Sequence, residues 1–220
     1  MLAQSKPREI GIPFIFELRK AILNTKPDRT PIDPNLPIKY QTRRLLNPQP
    51  KGSEMVWNQP TIELMIAKCP YQVGDYLYIK EPTTVKQFLS DNCAVVEYED
   101  GQEFEVKISD GDRIKIENRK NPFGKLNGRF MLKSFARHWV EVEEVKLQFL
   151  QEISEPDAIA EGVSRDRDGW KCYGNCPEHK TGHDQRTTAT ASFLSLWDSI
   201  HRDYPWSSNP IVYAITFKHR

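Results

Sequence analysis

Five polar side chains crowd the stretch KYQTRR, and their types are those that bind or transform small molecules. They are Lys39, Gln41, Thr42, Arg43 and Arg44. A threonine hydroxyl becomes a nucleophile when a neighbouring base takes its proton. A lysine can be that base only if burial or a nearby cation lowers its pKa, and Arg43 or Arg44 would supply the cation. The stretch therefore predicts a binding or catalytic site; solvated surface charge is the alternative.

Strand geometry sets a condition on these residues. In a regular strand Lys39 and Thr42 point to opposite faces, because side chains alternate with a period of two. They converge only if the chain turns at Lys39, where a proline-rich loop ends. We therefore expect a turn at Lys39 if the two side chains act together.

Glu161 is the second residue of interest, because its charge lies at an unfavourable place. It occupies the last turn of a predicted helix, directly before Gly162. A negative charge there opposes the helix dipole, at a cost of roughly 0.3–1 kcal/mol. A pair with Lys39 would offset that cost, so we expect a direct or water-bridged Lys39–Glu161 contact across one cleft. An ordinary helix-forming glutamate is the alternative.

The segment CYGNCPEHKTGH offers a separate set of metal ligands. Two cysteines and two histidines, with 3, 2 and 3 residues between them, form it: Cys172, Cys176, His179 and His183. Zinc prefers four such ligands in a tetrahedron; a polar loop is the alternative. Trp170 is expected to anchor this loop on the core, and Tyr173 is placed to stack on a base or to anchor the loop.

Composition limits the function classes. The chain has 220 residues and a net charge of +1, whereas a general polyanion binder is usually much more basic, so any nucleic-acid contact would be local. Four cysteines are too few for a disulfide framework, and we expect free thiols in a reducing compartment. The chain lacks a long apolar run and the features of a signal peptide. We expect a cytoplasmic protein without membrane contact, and no protein partner is obvious.

Apolar periodicity predicts mostly short strands with three short helices. The predicted strands are 12–16, 40–46, a strand within 71–81, the two arms of a hairpin within 93–109, 138–150 and 210–217, with 110–117 as a possible addition to the hairpin. The predicted helices are 17–23, 154–162 and 189–204. Asp100-Gly101 suits a hairpin turn. A change of parity at Glu143-Glu144 suggests a β-bulge; a strand buried on both faces is the alternative. The mixture favours an α+β domain or a decorated barrel.

Four separated segments resemble the motifs of ASCH domains, which belong to the PUA-like superfamily. KYQTRR resembles a Lys-Thr-x-Thr-x-Arg signature, and CPYQVGDYLYIKE resembles the Gly-Asp strand that follows it and runs on to a glutamate, here Glu81. ISEPDAIAEGV matches the helix motif Ile-Ser-x-x-Asp-Ala-x-x-Glu-Gly, and SFLSLWDSIHRDYPWSSNPIVYAITF matches the terminal helix and strand. The segments occur in the family's order across residues 12–217, and they are closest to the phage and prophage type.

The resemblance implies a single α+β domain over residues 1–220. Its expected fold is a small twisted β-barrel with short helices at its ends, a cleft beside the signature and an inserted hairpin region. The expected insertions are at about 24–38, 83–126 and 164–188. Two features depart from the family: Tyr40 stands where Thr is usual, and MLKSFAR keeps Met131 and Arg137 of a phage-type pattern but lacks its Pro and Trp.

The resemblance also implies a site for RNA, a nucleotide or a modified nucleoside. The expected ligand-binding residues are Gln41, Arg43, Arg44, Glu81, Arg137 and Tyr173. Some ASCH proteins resemble amidohydrolases that remove an acyl group from a modified cytidine, and their catalytic set corresponds here to Lys39, Thr42 and Glu161. Ribonuclease activity is a less favoured alternative. A third hypothesis is a zinc-bearing interaction module in phage biology, and no cofactor is expected apart from that zinc.

Overall fold

The structure is a computed structural model that describes residues 8–14, 16–50, 58–166, 169–174 and 188–219. Strands and short helices are mixed along the chain, as expected for an α+β fold. The strands are β1 (Glu9–Pro13), β2 (Gln41–Leu45), β3 (Tyr76–Lys80), β4 (Thr83–Ser90), β5 (Cys93–Tyr98), β6 (Glu103–Lys107), β7 (Trp139–Phe149), β8 (Arg165–Asp166), β9 (Gly169–Trp170) and β10 (Ile211–His219). The helices are α1 (Phe16–Leu23), α2 (Gln59–Ala67), α3 (Asp110–Glu117), α4 (Glu155–Ala160) and α5 (Ala189–Ile200).

The chain forms two compact units, which are described separately. The first unit comprises Met1–Arg19 and Tyr76–Val140, and the second comprises Lys20–Asp75 and Glu141–Arg220. Helix α1 and strand β7 each begin in the first unit and end in the second. A single domain over the whole chain stays a prediction.

The first unit contains a parallel strand pair and an antiparallel three-stranded sheet. β1 and β3 run parallel, with Gly11 opposite Tyr78. β4, β5 and β6 follow one another in the antiparallel sheet, and Gly101 takes a φ of +80° in the turn between β5 and β6. This confirms the predicted hairpin within 93–109. Buried side chains from the sheet and the following segment form the core of this unit, including Val85, Ala94, Val96, Ile116 and Phe135.

The possible strand at 110–117 is wrong, because this segment forms helix α3. The Ser109 hydroxyl accepts a hydrogen bond from the Asp112 N–H at 3.1 Å, which caps the first turn. Asp110 and Asp112 also place negative charge at the helix N-terminus, where it is stabilising. The alternation of Ile114 and Ile116 suggested a strand, but only Ile116 is buried, so the local capping signals outweigh the alternation.

The second unit holds the signature stretch. β2 pairs antiparallel with β10, with Thr42 opposite Ile215, and β10 lies between β2 and β7. The predicted strands 40–46 and 210–217 are therefore confirmed. Helix α5 buries Phe193 and Trp197 against this unit. It ends at Ile200, four residues earlier than predicted.

Several boundaries differ from the sequence prediction. β1 ends at Pro13, and α1 already begins at Phe16, so the predicted strand 12–16 is too long at its C-terminal end. Helix α2 and strand β4 were not predicted. Among the described strands, β1 and β2 each pair with a single neighbour, so the pairings do not close a barrel and the barrel stays a prediction. None of the helices in the described ranges is long and apolar enough to cross a membrane.

Candidate functional site

Lys39 is fixed where the chain enters β2. The Tyr40 N–H donates to the Ala160 carbonyl at the end of α4 (3.0 Å), and the Tyr40 carbonyl accepts from the Phe217 N–H of β10 (2.9 Å). The backbone N–H of Lys39 donates to the Thr25 hydroxyl at 2.8 Å. These bonds anchor Lys39 beside the end of α4.

The Lys39 amine is fully buried and donates three hydrogen bonds. Its acceptors are the Glu161 carboxylate Oε2 (2.8 Å), the Glu161 carbonyl (2.6 Å) and the Gln41 carbonyl (2.7 Å). The expected Lys39–Glu161 contact is thus present, and it is direct. Burial lowers the pKa of Lys39 to about 8, with a further lowering by Arg44 and Arg43; Glu161 opposes this shift.

Glu161 lies between two cations at the end of α4. Its Oε1 accepts from Arg43 Nη1 at 3.1 Å, while its Oε2 accepts from Lys39. Only 4% of its side chain is exposed. The two cations offset the unfavourable position of its charge near a helix C-terminus. Gly162 follows with a φ of +88°, which matches the predicted helix end.

Gln41, Arg43 and Asp157 extend this network outward. Arg43 Nη1 donates to the Gln41 Oε1 at 2.8 Å, and the Gln41 Nε2 donates to Asp157 Oδ1 (3.2 Å) and to the Thr216 hydroxyl (3.3 Å). The Arg43 side chain is fully buried, whereas 36% of the Asp157 side chain is exposed. The network therefore runs from the buried Lys39 to a partly exposed carboxylate. Asp157 and Thr216 were not predicted as site residues, although Asp157 belongs to the ISEPDAIAEGV segment.

Two nitrogens of the Arg43 guanidinium have no hydrogen-bond acceptor among the described residues. Its Nη2 lies 3.3 Å from Asp157 Oδ2, an ion pair without hydrogen-bond geometry, and its Nε has no hydrogen-bond partner there. The Phe193 ring lies under this group, with 5.8 Å between the Arg43 Cζ and the ring centroid. A buried N–H without an acceptor is costly, roughly 1–3 kcal/mol. An acceptor atom of a ligand would remove that cost.

Thr42 and Arg44 lie on the other face of β2. Strand alternation turns their side chains away from those of Gln41 and Arg43. Thr42 is buried, and within the described residues its hydroxyl makes no hydrogen bond. Burial lowers the pKa of Arg44, while Tyr71 and Glu161 oppose the shift. The structure thus joins Lys39 to Glu161 but shows no hydrogen bond from either to Thr42.

Glu81 and Arg137 are in the first unit, where they pair with each other. Arg137 donates from Nε to Glu81 Oε1 at 2.8 Å and from Nη2 to Glu81 Oε2 at 2.7 Å. Its Nη2 also lies 2.9 Å from Asp100 Oδ2, and its Cζ is 4.2 Å from the centroid of the Tyr98 ring. Their role as ligand-binding residues stays a prediction.

Tyr173 is engaged in structural contacts near α5. Its hydroxyl lies 3.0 Å from both the N–H and the hydroxyl of Ser164, and its backbone N–H donates to the Ser195 hydroxyl at 3.1 Å. Trp170 is buried, as expected for an anchor of this segment. Stacking of Tyr173 on a base stays a prediction.

The proposed zinc ligands fall mostly outside the described residues. Cys176, His179 and His183 lie there, so the zinc site stays a prediction. Cys172 is disulfide-bonded, which corrects the expectation of four free thiols, and zinc binding through its sulfur would require reduction of that bond. Within the described ranges, no group of three or more His, Cys, Asp or Glu side chains is placed to hold a metal ion.

Comparison with known proteins does not assign a family. Neither the protein-family models, nor the curated proteins, nor the solved structures give a match to this chain.

Proposed function

We propose that this protein is an ASCH-type domain with a PUA-like fold, and that it binds a nucleoside or nucleotide at the network around Lys39. The observation that carries the proposal is the single network of Lys39, Gln41, Arg43, Asp157 and Glu161, which joins the beginning of β2 to α4. These side chains come from two segments that resemble separate motifs of the family. Their convergence supports a shared site.

The charges of the network favour a small ligand over a polyanion. Lys39 and Arg43 both pair with Glu161, and Arg43 also pairs with Asp157. Cations that are neutralised within the protein add little to the attraction of a phosphate chain, which depends on unpaired Lys and Arg. The only one of these four charged groups with substantial exposure is the Asp157 carboxylate. An RNA strand is therefore a poorer fit to this site than a single nucleoside.

The network contains both hydrogen-bond donors and hydrogen-bond acceptors, and the edge of a base requires both. Both amide hydrogens of Gln41 are used by Asp157 and Thr216, but its Oε1, which takes one hydrogen bond from Arg43, has a second lone pair. Asp157 presents acceptors, and the Nε of Arg43 presents a donor. A base carries the same groups in one plane, and proteins recognise bases by hydrogen bonds to their edges. A ligand atom that accepts from Arg43 Nε would also satisfy a buried donor.

The test is a calorimetric titration with the four ribonucleosides, their 5′-monophosphates and a short RNA. We expect saturable binding of at least one nucleoside. Gln41→Leu, which keeps the side-chain size, should weaken it about tenfold, since one or two hydrogen bonds of 0.5–1.5 kcal/mol are lost. The matched control is Gln87→Leu at an exposed position of β4. No binding of any nucleoside or nucleotide would refute the proposal, and equal weakening by both variants would place the site elsewhere.

Hydrolysis of an acylated nucleoside is the second candidate function. Two observations favour it: the pKa of Lys39 is lowered to about 8, and the hydroxyl of Thr42 makes no hydrogen bond among the described residues. A base with a pKa near the working pH is efficient in proton transfer. Lys39 would have to lose its proton and turn its lone pair from its present partners toward the threonine.

The variant Thr42→Val tests this activity, because it keeps the shape and removes the hydroxyl. If Thr42 is the nucleophile, release of acyl groups from acylated cytidine should fall to nearly zero, while the affinity for the nucleoside changes by no more than one hydrogen bond, 0.5–1.5 kcal/mol. Acyl release at the wild-type rate in Thr42→Val would remove Thr42 from the mechanism. If the wild-type protein releases no acyl group, binding is the function that remains.

A further inference from the structure

A strongly basic segment lies in the first unit, although the chain as a whole is nearly neutral. Residues 118–133 contain five cations and no acidic residue: Arg119, Lys120, Lys125, Arg129 and Lys133. Because the net charge of the full chain is only +1, the remainder is net acidic. Clustering of this kind gives a local positive field that whole-chain composition conceals.

Three of the five positive charges of this segment are available to a partner. Lys120, Lys125 and Arg129 are exposed, and within the described part of the chain none of them has a carboxylate at ion-pair distance. Lys133 pairs with Glu9 of β1. Cations without internal partners are those that attract phosphates most effectively.

The basic segment runs along the end of β3. Leu126 and Thr83 exchange two backbone hydrogen bonds, of 3.1 and 2.7 Å. A Cβ atom at Gly128 would lie 3.0 Å from the Glu81 carbonyl carbon, so the glycine permits this close approach. The amine of Lys80 donates to the Arg129 carbonyl at 3.0 Å. Lys80 and Arg129 are therefore neighbours, and Lys125 directly precedes the Leu126 that pairs with Thr83.

Aromatic rings adjoin these cations on the strands. Tyr78 and Trp139 are partly exposed, and their ring centroids are 5.5 Å apart. The Lys80 amine lies 5.8 Å from the centroid of the Tyr78 ring. A Cβ atom at Gly11, opposite Tyr78 on β1, would clash with the Tyr78 ring and with Lys80 Cε, so both side chains lie across this glycine.

Phe130 adds an exposed ring at the edge of this group. The residue is 62% exposed, although phenylalanine is usually buried. The guanidinium of Arg129 lies over it, 5.8 Å from the ring centroid. The "Tyr78 surface" thus comprises Tyr78, Lys80, Lys125, Arg129, Phe130 and Trp139, all in the first unit.

Among the described acidic residues near this surface, Glu9 on β1 and Asp112 each have a lysine partner. Glu9 pairs with Lys133, and Asp112 lies 3.4 Å from Lys115. The local balance of charge therefore stays positive.

We propose that the Tyr78 surface binds single-stranded nucleic acid, at a site separate from the Lys39 network. Cations next to aromatic rings suit this ligand, because phosphates pair with the cations while bases stack on the rings. A duplex is a poorer partner, since its bases are already stacked on each other. This binding is independent of the nucleoside proposal, because the two sites share no residue.

The experiment measures fluorescence anisotropy of labelled twelve-nucleotide U-tract RNA and T-tract DNA at several salt concentrations between 50 and 200 mM. We expect binding to both strands that weakens as salt increases. Lys125→Gln with Arg129→Gln should lower the slope of log K against log salt by about 1.4, since each phosphate contact on a single strand contributes about 0.7. Lys86→Gln, an exposed lysine of β4, is the control and should leave the slope unchanged.

The aromatic contribution is tested by Phe130→Ala, which alters an exposed side chain and spares the fold. Loss of one stacked base, at 1–3 kcal/mol, predicts about 5- to 150-fold weaker binding with an unchanged salt slope. The control is Phe104→Ala, at another exposed phenylalanine of the same unit. RNA that binds more tightly than DNA would indicate contacts to the 2′-hydroxyl, and equal affinity would indicate stacking and phosphate contacts alone; both support the surface.

Three results would overturn this inference. They are the absence of oligonucleotide binding at 50 mM salt, a salt slope that the double variant does not change, and duplex binding as tight as single-strand binding. Binding of anionic phospholipid vesicles without binding of oligonucleotides would assign the surface to membranes instead. Because these variants leave Gln41 and Lys39 intact, nucleoside titration of the same proteins separates the two proposals.

Discussion

The protonation of Lys39 is the electrostatic feature on which the candidate site depends. A buried ammonium is costly unless its donors are satisfied and an anion lies close by. Lys39 meets both conditions, because its three hydrogen bonds use all the donors of an ammonium group and one acceptor is the Glu161 carboxylate. Burial nonetheless lowers its pKa to about 8. The site therefore holds an amine that loses its proton only slightly above neutral pH.

The first prediction concerns stability against pH. Between about pH 8 and 10.5, the unfolded chain holds a proton on Lys39 that the folded chain has released. Stability should therefore increase with pH across this window, by up to about 3 kcal/mol, and Lys39 should add no pH dependence below it. Urea unfolding of the wild type and of Lys39→Met at pH 7, 8, 9 and 10 measures the difference. A constant difference across this range would contradict the lowered pKa.

The second prediction concerns the buried carboxylate. Glu161→Gln should lower the free energy of unfolding by about 3–5 kcal/mol, because it leaves the buried Lys39 and Arg43 without their shared anion. The control is Glu97→Gln, whose pair with Lys86 is partly exposed and should contribute about 0–1 kcal/mol. If chemical denaturation shows equal losses for the two variants, the Lys39–Glu161 pair is not buried as described.

Helix α4 is the element that positions the acidic half of the site. It has six residues, yet Asp157 lies in its first turn and Glu161 caps its end. The Ser154 hydroxyl accepts from the Asp157 N–H at 3.2 Å and fixes the beginning of the helix. Gly162, in a left-handed conformation, ends it directly beside Lys39.

The third prediction compares two glycines of the second unit with almost the same φ. Gly74 (φ +86°) has nothing within 4 Å of an added Cβ, whereas a Cβ at Gly162 (φ +88°) would lie 3.0 Å from Lys39 Cβ and 3.1 Å from Ala21 Cβ. Gly74→Ala should cost about 1–2 kcal/mol from backbone strain alone. Gly162→Ala should cost more and should also weaken nucleoside binding. Equal costs, with nucleoside binding unchanged in both, would show that the Gly162 contact is unimportant.

The elements that the sequence predicted well have local signals that agree with their packing. The motif from Ser154 to Gly162 contains both a cap and a stop, and α4 forms there. Residues 110–117 also have a serine cap, at Ser109, but the alternating isoleucines suggested a strand. Strand β4 has few apolar side chains, and pairing with β5 stabilises it. Only residues 91 and 92 separate the two strands, but register shifts between Val85 and Gln87 and between Phe88 and Ser90 interrupt the alternation by which a strand is recognised in a sequence.

At the scale of the whole molecule, the net charge does not show how the charged residues are distributed along the chain. The net charge of +1 predicted no general polyanion binding, yet residues 118–133 concentrate five cations on the first unit. The contacts of the candidate site were likewise only partly predictable from the sequence. The Lys39–Glu161 contact was predicted from the types and positions of the two residues, whereas the partnership of Arg43 with Asp157 depends on how β2 and α4 pack.

The fourth prediction uses the division into two units. In Glu161→Gln, amide hydrogen exchange should accelerate mainly in residues 20–75 and 141–219, because the lost interactions all lie there. Residues 76–140 should exchange at nearly the wild-type rate, as expected when parts of a protein open separately. Mass spectrometry of peptides after timed labelling makes the comparison. A uniform acceleration would show that the two units unfold together.

The most direct test of the nucleoside-binding proposal is an NMR titration of the Lys39 side chain in protein labelled with ¹³C and ¹⁵N lysine. Lys39→Met identifies its resonance. The structure predicts that this resonance titrates near pH 8, and the proposal predicts that it shifts saturably when nucleoside is added at constant pH. A Lys39 resonance that titrates near pH 10.5 would contradict the lowered pKa. A resonance that does not move at the highest soluble nucleoside concentration would contradict nucleoside binding at this site.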